Sequence, residues 1–173
     1  MRLAVRSVFG DATPVQRCQL HKRRNVRDHL PKQLQARVDR LLVEAYRSAN
    51  DKLARRRLDQ LASWLERDGH TGAAASVREG LDEMLTVLRL GLSESLQRFL
   101  TSTNAIENTL GAVRRITRNV KHWRRGDMAL RWSALALREA EHRFRRIRGH
   151  RHLGDLAIKL AALVDSRRTE AAA

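Results

Sequence analysis

The chain has 173 residues, with 35 Lys and Arg against 19 Asp and Glu, and so a formal net charge of +16. Such uncompensated charge attracts polyanions over a Debye length of about 8 Å at cellular salt, which makes nucleic acid the first partner to consider and an anionic membrane surface the second. One cysteine, Cys18, excludes an internal disulfide and suits a reducing cytoplasm, the apolar runs are too short for a signal peptide or membrane span, and 4% aromatic residues exclude a base-stacking platform.

Two prolines and nine glycines leave long segments with a period near 3.6, which predicts a mainly α chain. Leu3, Val8 and Phe9 mark a short opening helix closed by Gly10-Asp11. Val15 to Leu20 is the one short strand expected. Leu34, Val38, Leu41, Leu42, Ala45 and Tyr46 share one face of a helix that starts near Pro31. Asn50 is placed to cap the next helix, in which Ala54, Leu58, Leu61, Ala62 and Leu65 share a face. The loop from Asp68 to Gly72 ends it, and a helix over 73–88 is expected to bury Val77, Leu81, Met84, Leu85 and Leu88. Ser93 caps a short helix through Phe99. From Asn104 to Val120, Ile106, Leu110, Val113 and Thr117 form an inner face. Gly126-Asp127 restarts a long helix, with Asp127 as cap and Gly149 as stop. A last helix spans 153–164, and the tail 166–173 should fray. Residues 31–98 read as a self-contained helical block between a strand-containing N-terminal piece and a basic C-terminal piece.

The most informative stretch is TSTNAIENTLGAVRRITRNVKHWRR, Thr101 to Arg125. On a helix starting near Thr103, the positions of Asn104, Glu107, Gly111, Arg114 and Arg118 fall on one face beside the apolar stripe. A carboxylate with arginines one and two turns later suits a hard cation beside a phosphate backbone, and Gly111 would let a strand approach. The bland reading is a solvated surface on which Glu107 sits near Arg114. A lone carboxylate is also no two-metal site. Six basic residues lie between Arg114 and Arg125, with few acids to pair them, and a second basic run follows over 138–151. Trp123 and Trp132 read as core anchors, Trp123 the more ambiguous for its arginine neighbours. Cys18-Gln-Leu-His21 has zinc-ligand residue types, but structural zinc takes four ligands and there is no second cysteine.

VQRCQLHKRRNV (Val15 to Val26) with LPKQLQ (Leu30 to Gln35) resembles the CxxH segment of Mutator-like bacterial insertion-sequence transposases. STNAIENTLGAVRRITRNVKHWRRGDMALRW (Ser102 to Trp132) resembles that family's segment with the catalytic glutamate, and EAEHRFRRIRGHRHL (Glu139 to Leu153) its C-terminal signature. The resemblance implies the C-terminal part of a ribonuclease-H-like catalytic domain: a remnant over 1–30, a helical insertion over 31–98, and C-terminal helices over 99–165. It implies an Asp-Asp-Glu site that uses Mg²⁺ to cleave and join double-stranded DNA. By motif the glutamate is Glu107, flanked by Asn104 and Asn108, with Arg114, Arg115, Arg118, Lys121, Arg124 and Arg125 along the DNA, and Cys18 and His21 as the signature pair. In the family both aspartates precede the CxxH segment, and neither Asp11 nor Asp28 matches them. The expectation is therefore a fragment, inactive alone, whose helices expose apolar stripes and favour self-association or pairing with a full-length transposase. The alternative is a non-enzymatic basic DNA-binding protein that modulates transposition.

Overall fold

With few residues to interrupt it, the backbone satisfies its own hydrogen bonds locally: the computed structural model describes residues 2–172 and contains no strand among them. The helices are α1 (Arg2–Phe9), α2 (Gln19–Asp28), α3 (Lys32–Tyr46), α4 (Asp51–Arg67), α5 (Thr71–Arg78), α6 (Leu81–Met84), α7 (Thr86–Arg89), α8 (Glu94–Leu100), α9 (Asn104–Thr117), α10 (Gly126–Glu141) and α11 (Leu153–Ala172). A single 3-10 turn, His150–His152, precedes α11. The chain divides into two units, Met1–Ser102 with Arg148–Ala173, and Thr103–Ile147.

The first unit has a true core. Asn50 starts α4 as the pattern requires, its side-chain oxygen accepting the Leu53 amide at 2.8 Å. Ala54, Leu58, Leu61, Ala62 and Leu65 are all buried on the inner face of α4. They meet Val38, Leu42 and Ala45 of α3, Ala73, Ala74 and Val77 of α5, and Val26 of α2. Leu41, expected on the same face as Leu42, is exposed instead, and Arg37 stacks over the half-buried Trp64 ring at 4.7 Å.

The helix expected over 73–88 starts at Thr71 and breaks into α5, α6 and α7. Gly80 makes the first break: its φ of +66° is left-handed, which ends α5 and re-aims the chain, and α6 and α7 part at Leu85. Val77, Leu81, Met84, Leu85 and Leu88 are nevertheless all buried. The strand expected over 15–20 is absent. Residues 15–18 are irregular and are fastened by isolated bonds rather than a ladder, and Gln19 and Leu20 already belong to α2. Arg17 N–H donates to the Glu83 carbonyl at 3.0 Å, Val87 N–H donates to Gln16 Oε1 at 2.8 Å, and the Thr86 hydroxyl donates to the Val15 carbonyl at 2.8 Å.

After Gly149 the chain returns to this unit. Gly149 has φ +79°, and a Cβ there would meet the Leu96 nitrogen of α8 at 2.8 Å, so conformation and space both require glycine. Then α11 runs on to Ala172, beyond the expected end near Val164 and through the tail expected to fray as far as it is described, Ala173 lying outside the described residues. It is tied down where Lys159 Nζ donates to the Gly91 carbonyl at 2.8 Å and Arg167 reaches the Thr13 carbonyl at 3.4 Å.

The second unit is built differently. In it α9 packs on α10, and only Ala136 and Ala140 are buried. Ile106 and Leu110, expected to face inward on α9, are exposed, as are Leu130, Leu135 and Leu137 on α10. Trp123 and Trp132, read as core anchors, are exposed too. Two small alanines bury little apolar area, and the larger side chains of both helices are left without cover. The N-cap of α10 is Arg125, and Asp127 instead pairs with Arg131 at 3.0 Å within the helix.

Candidate nucleic-acid interface

Glu107 lies in the first turn of α9. Its amide donates to the Thr103 carbonyl at 2.9 Å, and its carboxylate accepts the Thr103 hydroxyl proton. A carboxylate here lies at the positive end of the helix dipole and is held by a side chain just before the helix. The Thr103 hydroxyl thus positions the Glu107 carboxylate, although it makes no capping bond to the backbone of α9. Asn104, Glu107, Asn108, Gly111 and Arg114 are all exposed on this one helix, and Arg118 is its C-cap. No atom lies within 4 Å of where a Gly111 side chain would begin, so that part of the face is open.

Beyond Arg114 the cations gather. Arg114 and Arg115 end α9, Arg118 caps it, and Lys121, Arg124 and Arg125 lie in the link to α10. All six are exposed, and among the described residues no ion pair involves any of them. The neighbouring cations differ: Arg131 holds Asp127, and Arg143 holds Glu139 at 3.5 Å. Over Thr103–Ile147 eleven Lys and Arg face four Asp and Glu, a net +7. A guanidinium without an acidic partner can take a phosphate oxygen without giving up an existing ion pair, in fork geometry where the phosphate permits. Trp123, 46% exposed, lies among these cations. Arg115 also edges a cleft of about 220 Å³ with Glu139 and Arg143.

The signature pair lies in the other unit. Cys18 is the N-cap of α2 and makes no side-chain capping bond; its carbonyl accepts the Lys22 amide at 3.1 Å. His21 is exposed. The residue that sequence reading missed is Lys22, only 3% exposed, whose ammonium donates to the Ser76 carbonyl at 2.7 Å and to Glu79 at 2.8 Å. Arg17 reaches the same Glu79 at 2.9 Å. The hydrogen bond from Lys22, then that from Arg17, holds the Glu79 carboxyl well below its ordinary range, at about 2. The available signal was spacing: Lys22 lies one turn before Val26, on the buried face of α2.

The donor set does not fit a pair of magnesium ions. Among the described residues no group of three or more His, Cys, Asp or Glu could hold a metal. A two-metal centre needs several carboxylates bridging ions about 4 Å apart, and of the other acids in the second unit Asp127 and Glu139 are committed to arginines. Among the described residues no such group includes Cys18 and His21, and structural zinc takes four ligands.

Comparison with curated proteins and with solved structures found no match. Comparison with models of protein families matches residues 1–146 to "Transposase, Mutator family". That span carries both the Cys18–His21 segment and the whole Glu107–Arg125 stretch, and the chain belongs to the Mutator family of transposases.

Proposed function

We propose that this chain serves transposition as a duplex-DNA-binding piece of a Mutator-family transposase, gripping phosphates with Arg114, Arg115, Arg118, Lys121, Arg124 and Arg125. The observation that carries the proposal is that these six cations are exposed and, among the described residues, make no ion pair. By motif Glu107 stands where the family has the glutamate of its Asp-Asp-Glu site, with Asn104 and Asn108 beside it. In this reading α9 and α10 are C-terminal helices of a ribonuclease-H-like domain, and 31–98 is its helical insertion. Cleavage and strand transfer in the family rely on magnesium, and the acids around Glu107 do not form such a site. We therefore assign no cleavage to this chain by itself.

That no metal-holding group of three or more His, Cys, Asp or Glu includes Glu107 among the described residues equally favours a second reading, a non-enzymatic DNA-binding protein that dampens transposition by competing for DNA or pairing with a full-length transposase. The exposed apolar side chains of the second unit supply a surface for such pairing, or for self-association.

The test is a mobility-shift titration of duplex DNA with the parent and with Arg118→Glu/Arg124→Glu, circular dichroism confirming equal helix content. Duplex affinity should fall at least about tenfold, since two attractive phosphate contacts become repulsive. Unchanged affinity rejects the interface. Mixing the chain with full-length transposase on element-end DNA separates the two readings: inhibition favours the modulator, and restored or unchanged cleavage the transposase piece.

A further inference from the structure

The first unit contains a polar concavity, to which Thr103–Ile147 contributes nothing. It lies between the start of α2, the end of α3 and α8, with a volume of about 300 Å³. The Gln19 amide donates to the Thr101 carbonyl at 2.9 Å, joining α2 to the end of α8. Arg23 grips Asp39 with two bonds, 2.7 and 2.5 Å, joining α2 to α3. The walls are therefore fixed by groups that do not depend on any occupant.

The charges in the walls can be balanced. Arg23 is matched by Asp39, and Arg98 by Glu94. Hydrogen bonding from Arg98, then its charge and that of Arg47, keeps the Glu94 carboxyl low and ionised. Arg47 also lines the cleft, and no salt bridge involves it among the described residues, which leaves a surplus of one positive charge. Tyr46, Ser48 and Thr101, all uncharged, also line the cleft. Burial pushes the Tyr46 phenol up, so it stays neutral and does not compete as an anion.

One surplus charge suits a monoanion better than a phosphomonoester dianion. Its strength bears on the source: a single solvent-accessible ionic contact of this kind is too weak to hold a free small anion against cellular salt. It would be filled by an anionic group that other contacts already keep close, which is how one phosphate of a polyanion behaves. The rest of the unit supplies such contacts, with 24 Lys and Arg against 15 Asp and Glu outside Thr103–Ile147.

We propose that the α2–α3–α8 cleft seats one phosphodiester of a bound nucleic-acid backbone, with Arg47 supplying the charge and the Tyr46 hydroxyl a hydrogen bond. This gives the first unit a DNA contact separate from the Arg114–Arg125 stretch, and it rests on the reading that the chain binds DNA.

The experiment measures duplex binding of the whole chain by fluorescence anisotropy over a range of salt, comparing the parent, Arg47→Ala, Tyr46→Phe and the off-cleft control Arg67→Ala. Arg47→Ala should weaken binding about three- to tenfold and reduce the steepness of the log–log salt plot by about one. Tyr46→Phe should weaken binding and leave the slope unchanged, and Arg67→Ala should leave both near the parent. If Arg47→Ala behaves like Arg67→Ala while the parent binds steeply, the cleft assignment is overturned and the DNA reading stands. If the parent does not bind, both fail. If inorganic phosphate at millimolar concentration raises the melting temperature in an Arg47-dependent way while DNA affinity is indifferent to Arg47, the cleft is a small-anion site and the proposal is likewise overturned.

Discussion

Lys22 carries an ammonium into the protein interior, a placement that persists only where its donors are satisfied. The Ser76 carbonyl and Glu79 do this, and in doing so they bind the segment after Cys18 to α5. Glu79 is the exposed end of the arrangement, its side chain 59% accessible, so solvent screens much of the pair. Its pH dependence still has a definite sign. The folded carboxyl titrates at about 2 against an ordinary 4.5, so its contribution is full above about 4.5 and lost as pH falls toward 2. Glu79→Gln should therefore melt below the parent at neutral pH and level with it near the acid end of that range. Thermal denaturation followed by circular dichroism at the two extremes checks this; a difference that stays constant with pH would show that the pairing contributes nothing. Single residues were unevenly legible. Asn50 could be read because capping needs only local sequence, whereas Lys22 and Glu79 are 57 positions apart and meet only in the fold.

At the scale of elements, amphipathic spacing was most legible where one helix buries one face, as in α3 and α4. It could not reveal that a single apolar stripe belongs to three short helices, because the burial of Val77 through Leu88 is the same whether the helix is continuous or broken. The break depends on Gly80 and on Arg17, whose guanidinium lies where a Cβ on Gly80 would go. Gly80→Ala should cost about 1–2 kcal/mol, from the left-handed backbone and from displacing Arg17 off Glu79. Chemical denaturation would measure this, and a loss below a few tenths would mean that the turn relaxes into a continuous helix. The misread strand has a related cause: Val15 to Leu20 has extended character, but its fixed partners are carbonyls and side chains of Glu83 to Val87, not a second strand. On α9 the pattern did place Asn104, Glu107, Gly111 and Arg114 along one helix, and it did not foretell that Ile106 and Leu110 stay exposed.

For the whole molecule, two surface properties work together. The second unit exposes Leu130, Leu135 and Phe144 as well as Ile106 and Leu110, large apolar side chains that favour association when they lie uncovered. The purified chain should therefore self-associate as its concentration rises. Light scattering coupled to gel filtration would show a mass increasing with load, and a strict 19.9 kDa monomer at all loads would contradict it. The chain's +16 charge acts at longer range, steering it to polyanions, while the exposed cations from Arg114 to Arg125 make the contacts. The most direct measurement is the affinity of the whole chain for duplex DNA as a function of salt. Contact with about six phosphates predicts a log–log slope near −5, reduced in magnitude by about two in Arg118→Ala/Arg124→Ala. A slope near zero, or one that the double substitution leaves unchanged, would contradict phosphate binding by this stretch.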